Sequence, residues 1–144
     1  MGESGPLLTE IDHVAIAVHD LDAAIGWYHD TFGCEVAHRE VVERDGVEEA
    51  LLKVADSYVQ LLTPVRDDSP VAKYLEKRGE GIHHVGYRVD DCAVALARVK
   101  AAGHQVIDEA PRPGSRGTTV AFVHPKTALG TLIELVQESG SSSG

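Results

Sequence analysis

The sequence repeats itself, and this internal repeat limits the fold more than any other feature. Residues 13–24 read HVAIAVHDLDAA and residues 84–95 read HVGYRVDDCAVA. Each copy opens with a histidine on an alternating strand and continues to an aspartate that can cap a helix. One such half cannot bury both faces of a small sheet by itself. We therefore predict an α+β fold in which two tandem βαβββ modules form one curved, cup-shaped mixed sheet with helices outside.

The hydrophobic pattern predicts the same order of elements in both halves. Asp20 is expected to cap the first helix, and Gly33 is expected to end it. The predicted helices cover residues 21–32, 71–77 and 92–102. The predicted strands cover residues 12–18, 34–43, 48–55, 57–62, 82–89, 105–109, 117–124 and 130–137.

Composition limits the class of protein and its partners. A chain of 144 residues with 43% hydrophobic and 25% charged residues fits one globular domain. Its net charge of −10 argues against binding to nucleic acid or to an anionic membrane, and we find no apolar run of membrane-spanning length. With no secretory signal pattern and only two cysteines, the expected compartment is the cytoplasm.

The turn-rich ends are expected to lie outside the folded body. We predict a disordered N-terminus over residues 1–7 and a flexible tail over residues 139–144. Between them, residues 8–138 are predicted to form a single domain of two repeats, about 8–78 and 79–138.

Four polar residues occupy matched positions in the two halves. His13 and His84 open equivalent strands, and Gln60 and Glu134 each lie inside an apolar strand near the end of their half. Polar side chains buried in strands are costly unless they find a partner. Two imidazoles, one amide oxygen and one carboxylate suit a divalent ion such as Zn²⁺, Co²⁺, Mn²⁺ or Ni²⁺. A single strand histidine is more often a structural hydrogen-bonding residue, but the matched positions favour one shared metal ion.

The other histidines are interpreted as residues that bind no metal. His83 neighbours His84 but points to the opposite face of its strand, where we expect it to pack or to form a hydrogen bond. The remaining five lie near helix or strand ends and are expected to be solvated: His19, His29, His38, His104 and His124.

Five segments carry a resemblance to a known family. They read IDHVA at 11–15, DDSPVAK at 67–73, GIHHV at 81–85, VHPK at 123–126 and LIEL at 132–135. Together they resemble the methylmalonyl-CoA epimerase family of the vicinal-oxygen-chelate superfamily, which includes glyoxalase I. The resemblance spans residues 10–138 and implies the same four metal ligands. It also implies one divalent ion per chain, with Co²⁺ as the first candidate before Zn²⁺, Mn²⁺ or Ni²⁺, and a homodimer.

The resemblance implies a metal-dependent epimerisation of (2R)- and (2S)-methylmalonyl-CoA by proton transfer at C2 through a metal-stabilised enolate. The family's catalytic base falls on Glu49, with Glu48 as the rival because the preceding hairpin leaves the register open by one residue. For the opposite face of C2, the candidates are Glu134, itself one of the expected metal ligands, and a metal-bound water.

An acyl-CoA substrate carries phosphates, so the resemblance also implies local cations. Lys126, Arg116 and Lys73 are the first candidates to bind the coenzyme A part, and Arg66 and Arg112 are further ones. Each of these side chains is otherwise interpreted as an ordinary solvated charge.

Three other functions remain open at this point. A glyoxalase I-type lyase would share the fold and metal but act on a glutathione hemithioacetal. An Fe(II) oxygenase binds its iron through two histidines and one carboxylate. In such a site, the coordination position that Gln60 fills would be left open for solvent or dioxygen. A non-enzymatic antibiotic-binding protein of the same fold would usually lack the four-ligand set.

Overall fold

The computed structural model describes residues 6–140, which form two compact units. The first unit is His13–His84, and the second comprises the described residues up to Asp12 and from Val85 onward. Strands β1 (Glu10–Ala17) and β5 (Gly81–Arg88) each contribute residues to both units. The expectations for residues 1–5 and 141–144 lie outside the described part, and the single domain stays a prediction. No helix within residues 6–140 is long and apolar enough to cross a bilayer.

The first unit contains a helix, three strands and a second helix after the start of β1. These are α1 (Leu21–Phe32), β2 (Val36–Val42), β3 (Val47–Val54), β4 (Ser57–Pro64) and α2 (Pro70–Arg78). The strands are hydrogen-bonded in the order β2-β3-β4-β1, with β1 parallel to β4 and the other pairs antiparallel. As predicted, Asp20 caps α1 by accepting a hydrogen bond from the Ala23 N–H at 3.0 Å, and Gly33 ends the helix with a φ of 73°.

The second unit repeats this connectivity after β5. It contains α3 (Cys92–Ala101), β6 (Arg112–Pro113), β7 (Thr119–Val123) and β8 (Ile133–Gln137). The order is β5-β8-β7-β6, with β5 parallel to β8 and the other pairs antiparallel. Asp91 caps α3 as Asp20 caps α1, here by accepting from the Val94 N–H at 3.1 Å. The α+β class, the mixed pairing and the two βαβββ repeats are therefore confirmed.

The predicted strand over residues 105–109 is wrong. Val106 forms only an isolated bridge to Val123 there, and β6 comes later and has two residues. The side-chain carboxylate of Asp108 accepts the Phe122 N–H at 2.8 Å, so a side chain takes a bond that a strand partner would otherwise accept. The prolines that follow, at positions 111 and 113, have no N–H to donate to a ladder.

Side chains of the first unit alternate between two buried faces of its sheet. Leu21 of α1 packs in a cluster with Leu61 on one face, and Val71 of α2 packs in a cluster with Leu62 on the other. Because Gln60 and Leu62 are two residues apart on β4, Gln60 lies on the face that carries α2. The alternation of side chains along β4 thus places the polar side chain of Gln60 on the face opposite α1.

The core of the second unit gathers around α3. Cys92 and Leu96 of this helix pack in one buried cluster with Leu135 of β8. Burial raises the pKa of the Cys92 thiol to about 11, so this thiol stays protonated at neutral pH and acts as a small apolar side chain.

Candidate functional site

Two buried histidines face each other in the first unit. The Nε2 atoms of His13 and His84 lie 3.0 Å apart, and their rings make an edge-to-face contact with centroids 5.1 Å apart. On its other side, the Nδ1 atom of His84 lies 2.9 Å from Nδ1 of His83, whose ring packs against Tyr74 of α2. A histidine that ligates a metal through one nitrogen is usually oriented by a partner on the other nitrogen, and His83 occupies that position for His84.

Glu49 and Gln60 form a buried pair on the same unit. Glu49 is 2% exposed and Gln60 is 6% exposed, and the Gln60 amide donates from Nε2 to Oε1 of Glu49 at 2.7 Å. An ionised carboxylate only accepts hydrogen bonds, so the amide nitrogen must face Glu49 and the amide oxygen must face away. That oxygen, Oε1 of Gln60, is buried and has no hydrogen-bond partner among residues 6–140. A buried acceptor of this kind is costly unless a cation or donor approaches it.

The strand register places Gln60 and Glu134 at equivalent positions. In the first unit, Gln60 of β4 pairs with Ala15, two residues after His13. In the second unit, Glu134 of β8 pairs with Gly86, two residues after His84. Both pairs are parallel, and side chains two residues apart on a strand share a face. Gln60 therefore lies on the same face of its strand pair as His13, and Glu134 lies on the same face of its strand pair as His84.

Glu48 and Glu49 point in opposite directions from β3. The carboxylate of Glu48 accepts a hydrogen bond from Nε of Arg39 at 2.8 Å and is partly exposed. Glu49 pairs across the ladder with Leu62 and reaches Gln60. The geometry therefore favours Glu49 over its rival as the residue with access to the buried polar face.

Arg116 is held by a buried carboxylate. Its Nη2 lies 3.0 Å from Oδ2 of Asp12, a fully buried residue whose other oxygen lies 2.7 Å from Nε of Arg88. Arg116 also adopts a left-handed φ of 57°, which is unusual for a residue other than glycine. The ion pair fixes the turn around Arg116 to β1. Because the Asp12 carboxylate partly balances its positive charge, Arg116 should attract a phosphate less strongly than an exposed lysine does.

The side chains of the two lysine candidates are exposed at the surface. Lys73 is exposed on α2 of the first unit, and Lys126 is exposed in a short 3₁₀ turn, Pro125–Thr127, of the second unit. The turn is closed by the Lys126 N–H, which donates to Nδ1 of His124 at 3.0 Å. The further arginine candidates are paired with acids: Arg66 with Asp68 and Arg112 with Asp108.

Sequence reasoning missed one group of residues next to Glu49. His38, which we expected to be solvated, is half-buried, and its Nε2 lies 2.7 Å from Oε1 of Glu40. Both residues belong to β2, where Glu40 pairs directly with Glu49. The spacing of two residues between His38 and Glu40 could have indicated a shared face, but only once the hairpin register was known.

Comparison with known proteins adds an independent line of evidence. Residues 12–122 match the family described as the glyoxalase/bleomycin resistance protein/dioxygenase superfamily. The chain is 39% identical over 133 residues to the ethylmalonyl-CoA/methylmalonyl-CoA epimerase of Cereibacter sphaeroides, covering 91% of this chain and 99% of that protein.

Two solved structures are similar along nearly their whole length. The methylmalonyl-CoA epimerase of Mycobacterium tuberculosis has a TM-score of 0.92 and 40% identity, covering 97% of this chain and 95% of that chain. A methylmalonyl-CoA epimerase in complex with methylmalonyl-CoA and NH₄⁺ has a TM-score of 0.90 and 46% identity, with coverages of 93% and 97%.

Proposed function

Because this chain belongs to the methylmalonyl-CoA epimerase family of the glyoxalase/bleomycin resistance protein/dioxygenase superfamily, we propose that it interconverts (2R)- and (2S)-methylmalonyl-CoA. The single observation that carries the proposal is the buried Glu49–Gln60 pair on the polar face of the first unit. The carboxylate of Glu49 can accept a proton, and the amide of Gln60 orients it. The oxygen of the same amide can still bind a cation.

We assign His13, Gln60, His84 and Glu134 as the metal ligands. Two observations support the fit of a divalent ion. The Nε2 atoms of His13 and His84 converge, and the buried oxygen of Gln60 has no hydrogen-bond partner in the described part of the chain. Glu134 joins the set because its register to β5 matches that of Gln60 to β1. A set of two nitrogen and two oxygen donors suits a first-row divalent metal, and Co²⁺ is our first candidate before Zn²⁺, Mn²⁺ and Ni²⁺.

The reaction needs a base close to a stabilised negative charge. The proton at C2 of methylmalonyl-CoA lies between a thioester and a carboxylate, and removing it moves charge onto their oxygens. A bound divalent ion supplies electrostatic stabilisation of that charge. Glu49 removes the proton from one face of C2, and the hydrogen bond from Gln60 holds its carboxylate in place. Glu134 is our candidate for the group that returns a proton to the other face.

The coenzyme A part requires positive charge at the entrance of the site. We propose Lys126 and Lys73 as its principal phosphate contacts, because both are exposed. Arg116 is the third candidate, and its guanidinium already forms an ion pair with Asp12. Lysines suit this role as compact charges that reach a mobile phosphate.

We further propose a homodimer in the cytoplasm. On α1, the rings of Trp27 and Phe32 are more than half exposed and contact each other at 5.6 Å between centroids. An exposed aromatic pair of this kind is typical of protein–protein contacts. Both cysteines, Cys34 and Cys92, are unpaired, which is usual in a reducing compartment.

Three compounds distinguish the proposed reaction from that of its relatives. In deuterated water, methylmalonyl-CoA should take up deuterium at C2 while it inverts. Propionyl-CoA lacks the free carboxylate, so its C2 proton is less well oriented and the charge left by its removal is less well stabilised, and it should exchange very slowly. Mass spectrometry of the recovered thioesters measures both rates. Turnover of a glutathione hemithioacetal without any exchange in methylmalonyl-CoA would rule out the epimerase and favour a glyoxalase-type lyase.

A further inference from the structure

Glu49 has polar neighbours on its outer side that the proposed reaction does not yet use. On β2, the outermost strand of the order β2-β3-β4-β1, Glu40 pairs with Glu49 and His38 pairs with Leu51. Cross-strand partners share a face of the sheet, so Glu40 and His38 lie on the face of Glu49. A side-chain nitrogen of His38 and a carboxylate oxygen from each glutamate all lie within 4.8 Å of one another.

Exposure changes sharply along this row of side chains. The side chains of His38 and Glu40 are 35% and 36% exposed, whereas Glu49 is 2% and Gln60 is 6% exposed. The hydrogen-bonded pair of His38 and Glu40, 2.7 Å between Nε2 and Oε1, therefore lies between solvent and a buried carboxylate. The row connects the edge of the sheet to the residue that we propose as the base.

A buried base must exchange its proton with water between turnovers. When Glu49 takes a proton from C2, it is left as a neutral acid in a place that solvent hardly reaches. Another turnover in the same direction requires its carboxylate again, so the proton needs a route out. Two carboxylates whose oxygens lie within 4.8 Å of one another can exchange a proton through one bridging water.

We propose that Glu40, oriented by His38, carries the proton between Glu49 and solvent. The O–H bond of the Glu49 carboxylic acid breaks as its proton passes to a bridging water, and that water gives one of its own protons to form an O–H bond on the Glu40 carboxylate. Glu40 then releases this proton to bulk water. The negative charge moves from Glu40 to Glu49, and no redox change occurs. Because His38 contacts Glu40 and not the substrate, its role is to position Glu40. This inference rests on the proposed function and assigns two further residues to the same site.

The substitution Glu40→Gln removes the relay and keeps the size of the side chain. Glu49 loses its proton to solvent after product leaves. A slower loss of this proton therefore limits kcat without slowing the first encounter with substrate. We expect kcat to fall about tenfold, less than the ~10²–10⁴-fold effect of a direct acid or base. We expect kcat/KM to stay within about twofold. Formate, a small carboxylate that can carry protons to Glu49, should restore much of the lost kcat.

Two further variants make the test specific. Glu48→Gln is the matched control, because it removes a neighbouring glutamate that pairs with Arg39 and faces away from Gln60, and it should keep its kcat. His38→Gln should show a smaller loss of kcat with the same rescue by formate, which provides a second test if Glu40→Gln folds poorly.

Three results would overturn the relay. One is an unchanged kcat in a folded Glu40→Gln variant. Another is an equal loss of kcat and kcat/KM that formate does not restore, which would indicate a structural role. The third is a metal content of two ions per chain that falls to one in Glu40→Gln, which would make the cluster a second metal site. Inactivity of the unmodified protein on methylmalonyl-CoA would instead remove the proposed function itself.

Discussion

Glu49→Gln is expected to lower proton exchange at C2 of methylmalonyl-CoA by at least ~100-fold, equivalent to about 2.7 kcal/mol in the barrier. The amide has nearly the same shape as the carboxylate but cannot accept the proton. Its oxygen can still accept the hydrogen bond that Gln60 gives to Glu49 at 2.7 Å, so the pair should stay folded. Because Glu49 is not a proposed ligand, the variant should keep its metal. Deuterium uptake by mass spectrometry and metal analysis on the same sample measure both properties.

The neighbouring variant Glu48→Gln serves as the control for this experiment. Glu48 pairs with Arg39 on the opposite side of β3, so its loss should leave the exchange rate nearly unchanged. An unaffected Glu49→Gln together with a large loss in Glu48→Gln would show that the base was assigned one residue away from its true position.

Loss of His84 should have the second large effect. We expect the unmodified protein to bind about one divalent ion per chain, with ligand distances near ~2.0–2.3 Å. His84→Ala removes an imidazole whose Nε2 lies 3.0 Å from that of His13. The affinity for the metal should fall by more than ~100-fold, because loss of an outer partner alone costs ~10–100-fold. Epimerase activity should be lost with the metal, as elemental analysis and an activity assay on one preparation would show.

His104→Ala provides a matched histidine control, since His104 is exposed and lies outside the proposed ligand set. It should retain both metal and activity. Circular dichroism of both variants would separate loss of metal from loss of fold. A folded His84→Ala protein that retains its metal would contradict the assignment of His84 as a ligand, and one that is metal-free but fully active would contradict the need for the metal.

The four proposed ligands can be predicted from the sequence because they follow the repeat. A strand places alternate residues on one face, so a histidine at the start of one strand and a polar residue inside another indicate a shared face even before the sheet order is known. The register then gives the same relation twice, Gln60 opposite Ala15 and Glu134 opposite Gly86. The helix caps Asp20 and Asp91 depend only on nearby residues, so they can be predicted from the sequence equally well.

Features that depend on long-range pairing could not be predicted in this way. The choice between Glu48 and Glu49 needs the register of β3 against β4, and the proximity of Glu40 to Glu49 needs that of β2 against β3. The ion pair of Arg116 with Asp12 joins residues far apart in the chain, and nothing local to Arg116 indicates it.

The strand predicted over residues 105–109 failed for another reason. There the carboxylate of Asp108 competes with the backbone for the Phe122 N–H, and strand propensity does not include such competition.

We propose above all that this chain transfers the C2 proton of methylmalonyl-CoA at a metal centre. The most direct measurement is the rate of deuterium incorporation at C2, followed by NMR in deuterated water for the purified protein, after treatment with a chelator, and after adding back Co²⁺. The proposed metal dependence predicts rapid exchange, its loss on chelation and its recovery with the metal. Exchange that continues undiminished in protein shown by elemental analysis to be metal-free would contradict it.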